Sequence, residues 1–288
     1  MQKKRKKFWI IFGSIFVTIT MLCLVFSIAM RLKTIDVEFR MRLSEDQTVL
    51  DNSITEDIKK YFKLNKNIVF YSTDEAVDQI EKDYPFIKVN QVVKSFPNIM
   101  RVYISERIPK FRVIDSTNNN QFLILDADFK VIDTILVSEL ETNGTYGNTN
   151  YSKKTIEIIK DDFNISVQNG NFVTGHDSIK NSLNDIASGI YGKTEDYASV
   201  RLIKIKTENN ELKYYINMKN ISAQNQEGCN ILVDGTTDLK QKAFIGVTTF
   251  EEEVKGDSSL NTPTVIIRIE NYNGTYYGIK GTVPEGSI

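Results

Sequence analysis

The stretch Y-P-F-I-K-V-N-Q-V-V-K-S-F-P-N-I-M-R-V-Y-I-S-E-R-I-P, from Tyr84 to Pro109, reads as two strands joined by a tight corner. Ile87, Val89 and Val93 alternate with polar residues before the corner, and Met100, Val102 and Ile104 alternate after it. Period-two alternation on both sides of Ser95-Phe96-Pro97-Asn98 predicts a half-buried hairpin. Glu106-Arg107 and Pro109 close its second strand, since proline cannot donate to a continuing ladder. The hairpin carries no nucleophile, metal-ligand set or phosphate loop, so its physics points to assembly.

Upstream, Ile35, Val37, Phe39 and Met41 alternate with charged residues and predict a strand with one wet face. Ser53-x-x-Glu56 and Ser72-x-x-Glu75 have capping-box spacing. They predict two helices, the first burying Ile54, Ile58 and Phe62, the second burying Ala76, Val77 and Ile80 and ending before Pro85. The predicted order is β-α-α-β-β, both helices lying on one face of a three-stranded sheet.

Phe8 to Met30 is 23 residues without a charge, about 35 Å as a helix and enough to cross a bilayer. Lys3-Lys4-Arg5-Lys6-Lys7 precedes it and only Arg31 and Lys33 follow closely. The positive-inside bias places the N-terminus in the cytoplasm and residues 31–288 outside. Ser27-Ile28-Ala29 would pass as a signal-peptide cleavage site, but the apolar run is longer than a signal core, and it reads as an uncleaved anchor.

The formal charge of −1 hides an asymmetry. Residues 1–33 hold seven basic side chains and no acid, while the rest of the chain holds 29 basic and 37 acidic residues, a net of −8. An acidic folded portion argues against nucleic acid as a partner. Two cysteines, Cys23 in the apolar run and Cys229 near a predicted strand, form no disulfide framework and no metal-ligand spacing. His176 is the sole histidine, which excludes a multi-histidine metal site and argues against a histidine-based triad. No catalytic, cofactor-binding or metal-binding residue is predicted. A membrane-anchored extracellular cell-wall enzyme would need a nucleophile–base pair or a metal cluster. A secreted binding module remains the other alternative.

After Pro109 the chain turns β-rich. Phe111–Ile114 and Phe122–Leu125 read as strands separated by the turn residues Asp115–Asn120, and Asp126-Ala127-Asp128 reads as a turn before Val131-Ile132. Glu141–Tyr151 is polar and glycine-punctuated, and Thr155–Phe163 reads as a short helix. Ile179, Leu183, Ile186 and Ile190 recur at helical spacing, with Asp177 or Ser178 as candidate cap, Gly192 as candidate stop and His176 just outside. Two hairpins are clear. Ile203 and Ile205 face Leu212, Tyr214 and Ile216 across Glu208-Asn209-Asn210. Val265, Ile267 and Ile269 lead through Asn273-Gly274 to Tyr277 and Ile279. Between them, Ile231–Gly235 reads as a strand entering a helix striped by Leu239, Ala243, Val247, Phe250 and Val254, with Asp238-x-x-Gln241 as a capping-box-like start. The strand-Gly-helix lacks the further glycines and the lysine of a nucleotide loop.

A basic N-terminus, one span and an immediate β-α-α-β-β unit resemble the bacterial cell-division family FtsQ/DivIB, the unit corresponding to its POTRA domain. The most specific residues are Pro85-Phe86-Ile87, Phe96-Pro97-Asn98 and Glu106-Arg107-Ile108-Pro109. Val233–Lys242 also fits the strand-Gly, Asp-Leu-x-x-Lys order of the family's β domain. Phe39-Arg40-Met41 stands where the family often has a glycine, and Phe129 replaces the glycine of its Asp-x-x-Gly turn.

The resemblance implies an α+β protein: a cytoplasmic segment over 1–7, a transmembrane helix over 8–30, a POTRA domain over 32–108, a β-rich domain with a curved, mostly antiparallel sheet over 109–282, and a tail over 283–288. It implies a non-catalytic scaffold at the division septum that needs no cofactor. Its partners would be FtsB/DivIC-like and FtsL-like membrane proteins, linked to the septal peptidoglycan synthase complex. The partner would add a strand beside the last strands, at Arg268 and within Tyr272–Gly278, notably Tyr272, Gly274, Tyr276, Tyr277 and Gly278. An edge strand offers unpaired backbone groups, and tyrosines combine an apolar ring with a polar tip. The same tyrosines would equally serve to cover the sheet.

Overall fold

Helix α1 spans Gln2–Ala29, and its segment Ile11–Ala29 is long and apolar enough to cross a membrane, with none of it buried within the molecule. The hydroxyls of Thr18 and Thr20 donate to the carbonyls of Ser14 and Phe16 one turn back, so neither needs a partner from the surroundings. The computed structural model describes residues 2–41, 52–140, 151–160, 165, 167–220 and 226–283. The chain divides into two compact units, Met1–Glu106 and Arg107–Ile288.

In the first unit α1 is followed by β1 (Thr34–Met41), α2 (Asn52–Lys59), α3 (Asp74–Asp83), β2 (Ile87–Ser95) and β3 (Ile99–Glu106). The sheet order is β1-β3-β2, with the central β3 parallel to β1 and antiparallel to β2. Ile58 of α2 and Ala76 and Ile80 of α3 pack with Met100, Val102 and Ile104 of β3, as predicted, whereas Val77, also expected inward, is half-buried and outside this core. The Phe96–Pro97 peptide at the corner is cis.

Two expectations here are corrected. The ladder between β2 and β3 shifts register between Val89 and Gln91, so Asn90 is an extra residue. Beyond this bulge the alternation is inverted: Val92 opposes Val102 and packs on the core, whereas Val93 opposes Arg101 on the other face. The second capping box does not form either. The helix begins at Asp74 with Thr73 as its N-cap, and Ser72 lies one residue too early, its Oγ accepting the Asp74 N–H at 3.4 Å. The Ser53 side chain and the loop after Met41 lie outside the described residues.

Among the described residues the second unit forms a nine-stranded mixed sheet. Its strands are β4 (Phe111–Asp115), β5 (Asn118–Leu125), β6 (Val131–Leu136), β7 (Ile156–Lys160), β8 (Val200–Glu208), β9 (Glu211–Asn220), β10 (Gln226–Asp234), β11 (Val265–Tyr272) and β12 (Thr275–Thr282). Their order is β12-β11-β10-β9-β8-β7-β4-β5-β6. Among the described residues five of the eight pairings are antiparallel. The parallel exceptions are β4 with β7, β7 with β8, and β10 with β11. Helix α5 (Asp177–Thr194) makes the crossover from β7 to β8, and α6 (Leu239–Thr249) the crossover from β10 to β11.

Leu183, Ile186 and Ile190 of α5 and Ala243 and Val247 of α6 are fully buried in one core with Ile203, Ile216, Ile231 and Ile267. The apolar stripe of α6 continues through a wider turn to Phe250 and Val254, as predicted. His176 is the N-cap of α5, and its carbonyl accepts the Lys180 N–H. That helix runs past Gly192 to Thr194 and is closed by Glu195 in the left-handed conformation.

The predicted helix over Thr155–Phe163 is a strand instead. A four-residue helix α4 (Tyr151–Lys154) precedes β7, which inserts between β4 and β8 and buries Ile156 and Ile158 two residues apart. The glycine-punctuated residues 141–150 and Phe163 lie outside the described residues. The run Asp115–Asn120 is also shorter as a turn than expected, because β5 begins at Asn118.

Asp126-Ala127-Asp128 forms the predicted turn. The Asp126 carboxylate, almost wholly buried, pairs with Arg107 at 2.6 Å and accepts the N–H groups of Asp128 and Lys130. Phe129 takes the left-handed conformation (φ 62°) that a glycine would take without steric cost, and its buried ring meets Phe111 edge-on at 5.6 Å.

The bulge makes a specific prediction. Val92→Asp should destabilise the first unit by about 2–4 kcal/mol, because it buries a carboxylate, whereas Val93→Asp should cost about 1 kcal/mol or less. Denaturant unfolding of the detergent-solubilised chain measures both. Equal losses would contradict the register.

Candidate partner-binding edge

Among the described residues, strand β12 is an edge of the sheet, hydrogen-bonded to β11 on one side. Asn273 and Gly274 both have positive φ (53° and 84°), the geometry of a two-residue hairpin turn with Gly274 in its second place. The Asn271 side chain accepts the Gly274 N–H at 2.9 Å. This turn fixes the register: Tyr272 opposes Thr275, Asn271 opposes Tyr276, Glu270 opposes Tyr277, Ile269 opposes Gly278 and Arg268 opposes Ile279.

Of the six predicted partner-binding residues, Gly274 sits in the turn and the register divides the other five between two faces. Tyr276 and Gly278 share the face of Ile267 and Ile269, against α6. A Cβ on Gly278 would stand 2.2 Å from Thr249 Oγ1, so only glycine lets the end of α6 lie on β12. Tyr276 Oη donates to Asp238 at 2.8 Å, and the Lys242 ammonium lies 5.8 Å from the centre of its ring. The bond to Asp238 raises the Tyr276 pKa.

Asp238 is therefore not the predicted side-chain cap. It is the N-cap of α6 by position, but in the left-handed conformation (φ 58°) and with no capping hydrogen bond from its side chain. Its carboxylate ties the helix start to β12. Lys242 secures the same corner by donating to the Asp234 carbonyl at 2.7 Å.

Arg268, Tyr272 and Tyr277 lie on the opposite, open face with Ile279. The Tyr272 and Tyr277 rings are 6.1 Å apart, and each is about half exposed (53% and 51%). Tyr272 Oη donates to Glu270 at 2.6 Å, which raises its pKa. Arg268 continues across the sheet into a row with Leu232 and Tyr215, and borders a groove of about 480 Å³. Glu208 and Lys213, paired at 2.6 Å, form its far wall. Burial, and then a hydrogen bond donated to Glu208, push the Tyr215 phenol up to about 12. The Lys213 and Tyr215 hydrogen bonds hold Glu208 below the usual carboxylate range. Such a face offers aromatic rings beside a cation. Ionised Glu208 and protonated Tyr215 are hydrogen-bonded to each other and poised for no proton transfer near neutrality.

Cys229 is a core residue whose thiol burial pushes up to about 12. Among the described residues no three histidine, cysteine or acidic side chains gather as a metal set.

Residues 30–107 match the model of a family described as POTRA domain, FtsQ-type. The chain carries an FtsQ-type POTRA domain. The match spans β1 through β3 and, with the apolar helix before it, supports the FtsQ/DivIB family. That family is one of division-related scaffolds, is generally non-catalytic and works through protein–protein interactions in division. The apolar helix suggests a single-pass membrane anchor. No curated protein matches the chain. Strand β12 lies outside the matched residues, so the edge is assigned on its own geometry.

Sequence reasoning missed Asp238, Lys242 and Thr249 as the residues that seat β12, and Leu232, Tyr215 and Glu208 as neighbours of Arg268. The signal for the first group was present. A two-residue turn at Asn273-Gly274 already puts Tyr276 on the parity of Ile269 and Tyr277 on that of Arg268.

Changes on the two faces should differ in kind. Tyr276→Phe should destabilise slightly, since it removes only the exposed hydrogen bond to Asp238. Gly278→Val should cost about 1–3 kcal/mol through overpacking against Thr249. Tyr277→Asp should stay within about 0.5 kcal/mol. Denaturant titration of the intact chain checks all three, and a Tyr277→Asp loss as large as that of Gly278→Val would contradict the two-faced arrangement.

Proposed function

We propose that the protein is a non-catalytic division scaffold, anchored by α1 with its N-terminus in the cytoplasm and its two units outside. At the septum it holds FtsB/DivIC-like and FtsL-like membrane proteins and links them to the septal peptidoglycan synthase complex. The observation that carries this reading is the FtsQ-type POTRA domain directly after an apolar helix. The basic run Lys3–Lys7 supports the orientation.

The proposed contact is strand addition at β12. An incoming extended segment would pair with the free backbone groups of this edge and become a tenth strand. Arg268, Tyr272 and Tyr277 would then read the partner's side chains on the open face. Gly274 sets the turn. Tyr276 and Gly278 contribute by holding the edge against α6. Main-chain pairing supplies affinity and is insensitive to partner sequence, whereas the aromatic and cationic side chains supply selectivity.

Co-purification from the native membrane tests this reading. Tyr277→Asp and Arg268→Glu should each lower recovery of the FtsB/DivIC-like partner about tenfold or more, which corresponds to hot-spot losses above 1.4 kcal/mol. A tagged wild-type chain should concentrate at mid-cell. Undiminished recovery would move the interface off β12, and a uniform membrane signal through the whole cycle would count against the scaffold role.

A further inference from the structure

The end of the first unit nearest α1 carries an apolar and basic rim that the proposed strand addition at β12 does not use. Residues 60–71, K-Y-F-K-L-N-K-N-I-V-F-Y, link α2 to α3 and contain three lysines, with no acidic residue between Asp57 and Asp74. The segment is held firmly. Leu32 N–H donates to the Lys66 carbonyl, Asn65 N–H to the Leu32 carbonyl, and Ile68 N–H to the Met30 carbonyl, at 2.8–2.9 Å. Lys63 N–H donates to Tyr71 Oη, and the Asn67 side chain accepts the Val69 N–H. Phe62 and Ile68 anchor it in the core, yet Phe70 is 87% exposed and Leu64 and Val69 are also exposed.

The signature corner lies at the same end. Because β3 runs parallel to β1, the corner before β3 must sit beside the start of β1. The N–H groups of Lys33 and Thr34 accordingly donate to the Asn98 carbonyl. Phe96 of that corner is 60% exposed. Both loops are thus bonded to residues 30–34, immediately after the apolar segment ends at Ala29. Hydrogen-bonded neighbours lie about 5 Å apart, and the headgroup layer adds roughly 5–7 Å beyond the hydrocarbon core. If α1 spans a bilayer, the two loops are at the depth of its headgroups.

We propose that this rim is a second membrane contact: Phe70, Phe96, Leu64 and Val69 enter the interfacial layer, and exposed Arg31, Lys33, Lys63 and Lys66 meet anionic phospholipid headgroups. Continuity with the end of the anchor and the absence of acid in the loop select a lipid surface as the occupant. Aromatic rings settle at that depth, and apolar side chains flanked by cations are the pattern of interfacial binding. One consequence is mechanical. A span followed by a free loop lets a domain swivel, whereas a span plus a seated rim fixes the start of β1 against the bilayer.

The inference rests on α1 as the span, and the test separates the two. The full chain, with Trp9→Phe to remove its single tryptophan, is reconstituted into vesicles of phosphatidylcholine and phosphatidylglycerol carrying bromine near the headgroup end of the acyl chains. Phe70→Trp and Phe96→Trp should emit at shorter wavelength and be quenched several-fold more than Lys82→Trp, which sits at the far end of α3. Replacing phosphatidylglycerol with phosphatidylcholine should weaken that quenching. Phe16→Trp, with lipids brominated deep in the chains, reports the anchor. Quenching of Phe16→Trp with none at positions 70 and 96 would overturn the rim alone, and no quenching at any of the three would overturn the anchor with it. Quenching that ignores headgroup charge would remove the cations from the proposal.

Discussion

A β-strand shows alternate residues to opposite faces, and every functional assignment in this protein depends on where that alternation is set or reset. In the second unit it is set by Asn273-Gly274, whose two positive φ angles leave one register for β11 and β12. That register puts Arg268, Tyr272 and Tyr277 on the open face and Tyr276 and Gly278 against α6. In the first unit the alternation is reset at Asn90, where one extra residue sends Val92 inward and Val93 outward. A shift of one residue in either place would exchange the core for the surface.

The two faces of the last hairpin do different work. One is a structural seat, in which Gly278 admits Thr249, Tyr276 reaches Asp238 and Lys242 closes the corner. The other is an open surface of rings and a guanidinium. In the proposed reading, a partner that adds a strand to β12 would need both: the seat would hold the edge in place before binding, which reduces the ordering cost, and the surface would discriminate among strands. The crossover α6 links them, since it makes β10 and β11 parallel and leaves β12 outermost.

Much of this was legible in the sequence. The apolar helix, the β-α-α-β-β order, both hairpins and the stripe from Leu239 to Val254 follow from period and turn chemistry alone, although Glu208, read as part of the first turn, is the last residue of β8. The rest was hidden for identifiable reasons. The bulge at Asn90 leaves no mark, because valines at 92 and 93 suit either parity. Ile156 and Ile158 flank Glu157 in a run too short to distinguish strand from helix, and the parallel partners β4 and β8 decided it. The capping signals at Ser72 and Asp238 were correctly placed near helix starts. Each side chain found another use: Ser72 one residue too early, Asp238 as the acceptor for Tyr276. Phe129 keeps the backbone of an absent glycine, a substitution that its buried contact with Phe111 makes tolerable.

The central claim is that β12 is an unfinished edge that a partner strand completes. Amide hydrogen exchange along residues 275–282 of the intact chain, with and without the FtsB/DivIC-like partner, measures this most directly. The account predicts that the outward-facing amides of β12 exchange quickly in the free protein and become protected when the partner binds, while β8 and β9 at the centre of the sheet are unchanged. Partner binding that leaves β12 exchange as it was, and protects another surface, would contradict it.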